Sequence, residues 1–414
     1  MTAFASGLPI RSVALFSPAW PAGEVANGIV SYVAVMRNAL RRLGVSPIVL
    51  ATRLDSAPES GVLPLDRELS GESAAAWKRF ESAVCQRIDP ERARAVHVDR
   101  AIAHVLENRG SDVSLIEMEE SFGWARRVAR RGVVPVVVRL HGPWFLNGPA
   151  RGVPVDARFR RRDRAERQGL LAASAISAPC RDVLERTQRH FELPLEDAAV
   201  IPNPIEPVPA AAQWHLAASD PGEIVFVGRF DRHKGGDRMI EAFARVAAER
   251  PDTRLTFVGP DPGLVDPRGR RWTLEEFAQE CLGSARPRLR WLGLQPSDRV
   301  RELRRRARVV VVASRYENFP YAALEAMAMG CPLVSTRTGG LSEVVEDGRN
   351  ALTCEPNDPA GLSRCILALL ADGELAARLG AQALRDSRER YDPDVVARAT
   401  LDFYRGVLAR TRAA

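Results

Sequence analysis

The sequence predicts a pair of doubly wound α/β domains that meet in the chain near residue 205. Three observations predict them. Short apolar runs bounded by turn residues alternate with helical patterns along both halves, as in parallel sheets covered by helices. The alternation stops over residues 202–222, a stretch rich in Pro and Ala that reads as an interdomain linker, and then restarts. At 414 residues the chain is also longer than one hydrophobic core normally supports.

In the first domain, residues 1–205, the strand candidates are Ser12–Ser17, Pro47–Thr52, Val113–Met118, Val134–Leu140, Ala173–Ala178 and Val200–Pro202. Between the first two, Ile29–Leu43 reads as a helix with Arg37, Arg41 and Arg42 on its polar side. The second domain, residues 206–393, offers Ile224–Val227, Leu255–Val258, Leu289–Leu292, Val309–Ala313, Leu333–Ser335 and Leu352–Cys354. Thr273 followed by Glu276 predicts a capping box for a helix over Leu274–Cys281. The tail, residues 394–412, reads as a helix capped by Asp394 that packs back on the first domain.

Bulk properties narrow the class. Apolar content of 46% with 27% charged residues describes a globular protein, and no run of about 18 uncharged apolar residues predicts a membrane span. The first ten residues lack a basic stretch followed by an apolar core, so no signal peptide is expected. The cysteines (85, 180, 281, 331, 354 and 365) are scattered without a Cys-x-x-Cys pair, which suits reduced thiols in a cytoplasmic protein and excludes zinc spacing. The net charge of +7 comes from arginine spread along the whole chain, with no basic–aromatic motif, so a nucleic-acid binder is disfavoured. Only two of the 59 basic residues are lysine, Lys78 and Lys234. Lys234 is conspicuous for that reason, because an ammonium and a guanidinium are not interchangeable.

The chemistry gathers at predicted strand ends, where doubly wound sheets bind ligands. Val309–Val312 reads as a buried strand, and Ala322–Met329, closed by Gly330 and Pro332, as the helix behind it. Glu317 then sits at the strand's carboxyl end, and Glu325, eight positions on, about two turns into the helix. Strand Ile224–Val227 runs into Gly228-Arg229-Phe230-Asp231-Arg232-His233-Lys234-Gly235-Gly236. There a glycine permits a tight turn, two cations leave the same strand end, and paired glycines open a helix; such loops favour anions. The Asn27-Gly28 loop after the first strand tolerates unusual backbone conformations and can bring bare amides to a phosphate. His141 follows Val134–Leu140 at another strand end, whereas His97, His104, His190 and His215 read as structural. Gly339-Gly340, with Glu343 just beyond, permits close backbone approach to a ligand. Taken alone, each glutamate reads more readily as a solvated charge, and the Asn27-Gly28 turn could be a plain connection. Their shared placement favours a site.

In this order and at these intervals, the residues make the chain resemble the retaining nucleotide-sugar glycosyltransferases of the GT-B fold, family 4 type. The likeness covers most of the second domain: Gly228-Arg229 with Lys234-Gly235, the Glu317–Glu325 pair, Glu325-Ala326-Met327-Ala328-x-Gly330-x-Pro332 and Gly339-Gly340-x-x-Glu343. The first domain matches more loosely, through Asn27-Gly28, His141-Gly142 and Ile201-Pro202-Asn203. The resemblance implies two Rossmann-like domains facing across a cleft, the first for the acceptor and the second for the donor. It implies that Arg229 and Lys234 neutralise the donor diphosphate and that Glu325 binds the ribose hydroxyls. Glu317 would orient the donor sugar, with Gly228 and the backbone of Asn318, Phe319 and Pro320 lining the pocket. Asn27 and Gly28 would approach the phosphates, and His141 the sugar. The donor is the co-substrate, a UDP-sugar before GDP-mannose, and neither metal nor other cofactor is expected. The one Asp-x-Asp, Asp392-Pro393-Asp394, lies before the tail helix.

The acceptor is a hydroxyl compound, with bacterial polysaccharide, glycolipid or small-molecule glycoside synthesis as the setting. Two readings stand beside transfer: a non-catalytic nucleotide-sugar-binding partner subunit, and a sugar-nucleotide epimerase on a similar fold. The charged set of Arg229, Lys234, Glu317 and Glu325 favours transfer. The run Arg158-Phe159-Arg160-Arg161-Arg162-Asp163-Arg164 suits either peripheral contact with an anionic membrane carrying a lipid-linked acceptor or a solvated helix start, and the second reading is preferred.

Overall fold

The computed structural model describes residues 10–21, 27–55, 57, 59–65, 90–109, 112–194, 197–266 and 268–413. The chain divides into two units: Met1–Asn147, Pro154–Pro204 and Pro393–Ala414 form one, and Gly148–Val153 with Ile205–Asp392 the other. Lys78, Cys85 and the middle of the loop before Asn27 lie outside the described residues.

The first unit carries β1 (Ser12–Ser17), α1 (Gly28–Arg42), β2 (Ser46–Ala51), β3 (Val62–Pro64), α2 (Pro90–Arg109), β4 (Val113–Glu119), α3 (Ala125–Arg131), β5 (Val136–Arg139), α4 (Trp144–Ala150), α5 (Ala157–Ala172), β6 (Ala175–Ala178), α6 (Arg181–Phe191) and β7 (Ala199–Val200); the unit boundary divides α4. The strands pair in parallel in the order β3-β2-β1-β4-β5-β6-β7. Every residue of β1 is buried, the apolar Val13–Phe16 and the serines at either end alike, as in a strand covered on both faces.

The second unit carries β8 (Asp220–Val227), α7 (Gly236–Glu249), β9 (Arg254–Val258), β10 (Leu264–Val265), β11 (Arg271–Trp272), α8 (Leu274–Leu282), β12 (Leu289–Trp291), α9 (Ser297–Arg306), β13 (Ala307–Val312), α10 (Tyr321–Ala328), β14 (Leu333–Thr336), α11 (Leu341–Val344), β15 (Leu352–Cys354), α12 (Pro359–Ala371) and α13 (Gly373–Arg390). Its parallel sheet runs β12-β9-β8-β13-β14-β15. The strand order reverses between β8 and β13, which makes that pair the switch point where ligands bind. The capping box at Thr273 and Glu276 forms.

Four expectations need correction. Residues 202–222 are no free linker: Trp214 is buried, with Nε1 donating to the Ala307 carbonyl at 2.7 Å, and β8 starts at Asp220. Arg37 is not on the polar side of α1; its side chain is buried with the guanidinium over Trp20 while Nη1 reaches Glu59 at 2.9 Å, so the long side chain is hidden and its charge partnered together. The tail helix, α14 (Pro393–Ala413), starts one residue early because proline suits the first helical position; Asp394 lies in its first turn and pairs with Arg42 at 2.8 Å. And α10 starts directly after Pro320, which puts Glu325 a little over one turn into the helix. Strand β3 and the β10–β11 hairpin are also additional to the predicted set; both are too short to leave a periodic signal.

Candidate active site

The loops that leave β8 and β13 meet at the switch point of the second sheet. Glu317 is buried, and its Oε1 accepts from Lys234 Nζ at 2.5 Å and from Ser314 Oγ at 2.6 Å. Burial pushes the Glu317 carboxyl up, but the charge of Lys234 and these two hydrogen bonds outweigh it, so the group sits below the ordinary carboxylate value. Lys234 thus holds a carboxylate that stays ionised. Asp231 organises the cationic loop. One oxygen accepts from Arg229 Nε at 2.6 Å and the other from the Lys234 backbone at 2.7 Å. The Arg229 side chain is about one-third exposed.

Two further contacts lock the loops to each other. Arg315 makes a bidentate bridge to Asp237, at 2.8 and 2.6 Å, and its backbone N–H donates to the His233 carbonyl at 2.9 Å. Gly235 has φ +70°, and a Cβ there would lie 1.9 Å from the Ala313 carbonyl oxygen, so only glycine lets the β8 loop pass β13 this closely. The Gly340 N–H donates to the Glu317 carbonyl at 2.8 Å, which brings the paired-glycine loop onto the same residue.

Asn318, Phe319 and Pro320 are buried and lead from Glu317 into α10. The Phe319 ring meets Tyr391 edge-on at 5.8 Å, so its side chain serves packing. Glu325, on α10, accepts from Arg304 Nη1 at 2.6 Å; the arginine is buried while the carboxylate stays almost half exposed. Sequence reasoning missed Arg304, and among so many arginines it carries no distinguishing mark.

The first unit places His141 two residues past the end of β5. A buried carboxylate, Glu120, accepts from the backbone N–H groups of His141 and Gly142 at 2.8 and 2.7 Å, and Glu166 accepts from that of Trp144 at 2.7 Å. Arg162 Nε reaches Glu166 at 2.9 Å and its guanidinium lies 3.9 Å from the rings of both Phe122 and Trp144. One arginine of the run Arg158–Arg164, expected to be solvated, therefore serves the interior. The His141 ring packs edge-on to Tyr32 at 4.9 Å, and burial together with the Arg139 charge keeps the imidazole neutral. Asn27 departs from expectation. Its backbone is extended, not left-handed, and its Oδ1 caps α1 by accepting from the Ile29 N–H at 2.9 Å. Gly28 is exposed at the helix start.

Burial raises Glu119 to about 7 and Glu166 to about 8. A group that holds its proton more tightly when folded contributes stability that is full below its unfolded value near 4.5 and lost as pH rises through its folded value. The melting temperature is therefore expected to fall between pH 5 and 9, and Glu166→Gln to flatten that fall. Parallel pH profiles for the two proteins in differential scanning calorimetry would contradict this.

Comparison with known proteins fits this geometry. The model of glycosyl transferases group 1 matches residues 210–386, and that of glycosyltransferase family 4 matches residues 26–208. A D-inositol 3-phosphate glycosyltransferase of Xylanimonas cellulosilytica is 32% identical over 297 residues, 68% of each chain. The chain belongs to the group 1, family 4 glycosyltransferases. A glycogen synthase of Mycobacterium tuberculosis is 32% identical over 214 residues, and the match spans only about half of that protein, 49%. Among solved structures, sucrose-phosphate synthase from Thermosynechococcus elongatus superposes with a TM-score of 0.71 at 22% identity, over 97% of this chain and 100% of that one. Anabaena HepE, solved in complex with UDP, gives 0.63 at 14% identity over 95% and 98%. The glycosyltransferase has the GT-B fold. Among its described residues no helix is long and apolar enough to cross a membrane, and no three His, Cys, Asp or Glu residues cluster as a metal site.

Proposed function

We propose that this glycosyltransferase moves a sugar from a nucleotide-sugar donor to a hydroxyl acceptor with retention of configuration and without a metal. A UDP-sugar is the favoured donor and GDP-mannose the next. The observation that carries the proposal is the Lys234–Glu317 pair at the β8–β13 switch point, with Arg229 held beside it by Asp231. The UDP bound to the HepE neighbour supports the uridine choice.

Breaking the bond between the anomeric carbon and the diphosphate oxygen leaves negative charge on that oxygen and cationic character on the sugar. Lys234 and Arg229 are cations fixed in advance where the leaving group charges, the form of stabilisation that contributes most to catalysis. The ionised Glu317 accepts hydrogen bonds from sugar hydroxyls and sets the sugar's orientation. Glu325, held at one oxygen by Arg304, keeps the other for the ribose hydroxyls. The departing diphosphate oxygen takes the acceptor's proton on the face it leaves, so the new bond forms with the old configuration.

The test is turnover of UDP-glucose and GDP-mannose with simple alcohol and glycoside acceptors, with product configuration read by NMR and a parallel arm in EDTA. An α-linked product in undiminished yield under EDTA is expected. An inverted product, or activity abolished by EDTA and restored by a divalent ion, would overturn the mechanism. Donor binding without any turnover would favour the non-catalytic reading.

A further inference from the structure

Between the two cations of the β8 loop lies His233, and its side chain is the odd member of the set. It is only 5% exposed, yet neither ring nitrogen meets a hydrogen-bond partner within the protein. An imidazole buried without partners is costly, on the order of 1–3 kcal/mol for each unsatisfied polar group, so a residue in this state needs a reason. Its backbone is already fixed, because the carbonyl accepts from Arg315. The ring is therefore not needed to hold the loop. Its charged neighbours are Glu317, Lys234 and Asp231, with Arg151 of the Gly148–Val153 segment also acting on it.

We infer that His233 is a donor-sugar contact, whose two ring nitrogens exchange hydrogen bonds with sugar hydroxyls beside Glu317. Burial dominates its titration and holds the ring neutral, with a value near 4. A neutral imidazole offers one N–H donor and one lone-pair acceptor. Phosphate oxygens only accept, so a diphosphate could satisfy both nitrogens only if the ring took up a second proton, which its burial opposes. Hydroxyls both donate and accept and can satisfy both. The loop then divides its work: Arg229 and Lys234 address negative charge, and the uncharged ring between them addresses the sugar. This inference rests on the nucleotide-sugar reading and adds a specificity residue to it.

The experiment compares the wild type with His233→Phe, which keeps an aromatic ring and removes both nitrogens, and with His233→Asn, which restores a donor and an acceptor. Calorimetric affinities are measured for UDP and UDP-glucose, and for GDP and GDP-mannose, with melting temperatures recorded alongside. His233→Phe is expected to bind the free nucleotide within about two-fold of wild type but the nucleotide sugar about ten-fold or more weakly, the loss of a hydrogen-bonded pair. His233→Asn should recover part of the difference, and the melting temperature of the Phe variant should hold or rise. If the Phe variant binds sugar nucleotide and nucleotide in the wild-type ratio, or weakens both equally while melting lower, the ring is structural and the inference fails. Should wild type bind none of these ligands, the nucleotide-sugar reading fails and takes this inference with it; wild-type binding with an unchanged ratio in the variant sinks the His233 assignment alone.

Discussion

Replacing Lys234 by alanine is expected to lower turnover with the working donor by ~100-fold or more, the range seen when one preorganised charge is lost from a transition state. Two effects combine. The leaving diphosphate loses a cation, and the buried Glu317 loses the neighbour whose charge and hydrogen bond keep it ionised. Lys234→Arg should not restore the wild-type rate, because a planar guanidinium cannot place a compact charge 2.5 Å from the Glu317 oxygen in the same space. Steady-state release of nucleoside diphosphate checks both variants, with circular dichroism to confirm folding. Near-normal turnover in Lys234→Ala would remove the residue from the leaving-group role.

Glu317→Ala should reduce turnover by a comparable ~100-fold, but with a different signature. If this carboxylate orients the sugar and Glu325 holds the ribose, free nucleotide binding should change little in Glu317→Ala and weaken in Glu325→Ala. Titration of both variants with UDP and GDP separates the roles. The assignment would be reversed if Glu317→Ala lost the free nucleotide while Glu325→Ala kept it.

Much of this was legible in the sequence because parallel strands buried on both faces leave continuous apolar runs. Val309–Val312 and Ser12–Ser17 fall on β13 and β1, and the Thr273–Glu276 box marks the start of α8 as read. The strand-end placement of Lys234 and Glu317 was readable for the same reason, and their pairing follows from the adjacency of β8 and β13. What escaped is what depends on three-dimensional neighbours. Asp237 and Arg315 lie far apart in sequence and meet only because two loops cross. Arg37 and Arg162 looked like solvated arginines but insert into the interior, since a long aliphatic stem is as easily buried as exposed. Glu119 and Glu120 did leave a signal, two acids closing the apolar run from Val113, at the same kind of strand end that drew attention to His141. At Asn27 the residue type suggests backbone freedom, whereas the side chain, which caps α1, is the operative part.

The proposed activity requires that the switch point between β8 and β13 hold a nucleotide sugar that the protein turns over. Its most direct test is the release of free nucleoside diphosphate across UDP-glucose, UDP-galactose, UDP-N-acetylglucosamine and GDP-mannose, for the wild type and for Lys234→Ala and Glu317→Ala. Release from at least one donor by the wild type, and loss of that release in both variants, is the expected result. Absence of binding and turnover with every donor, or equal turnover by all three proteins, would contradict it.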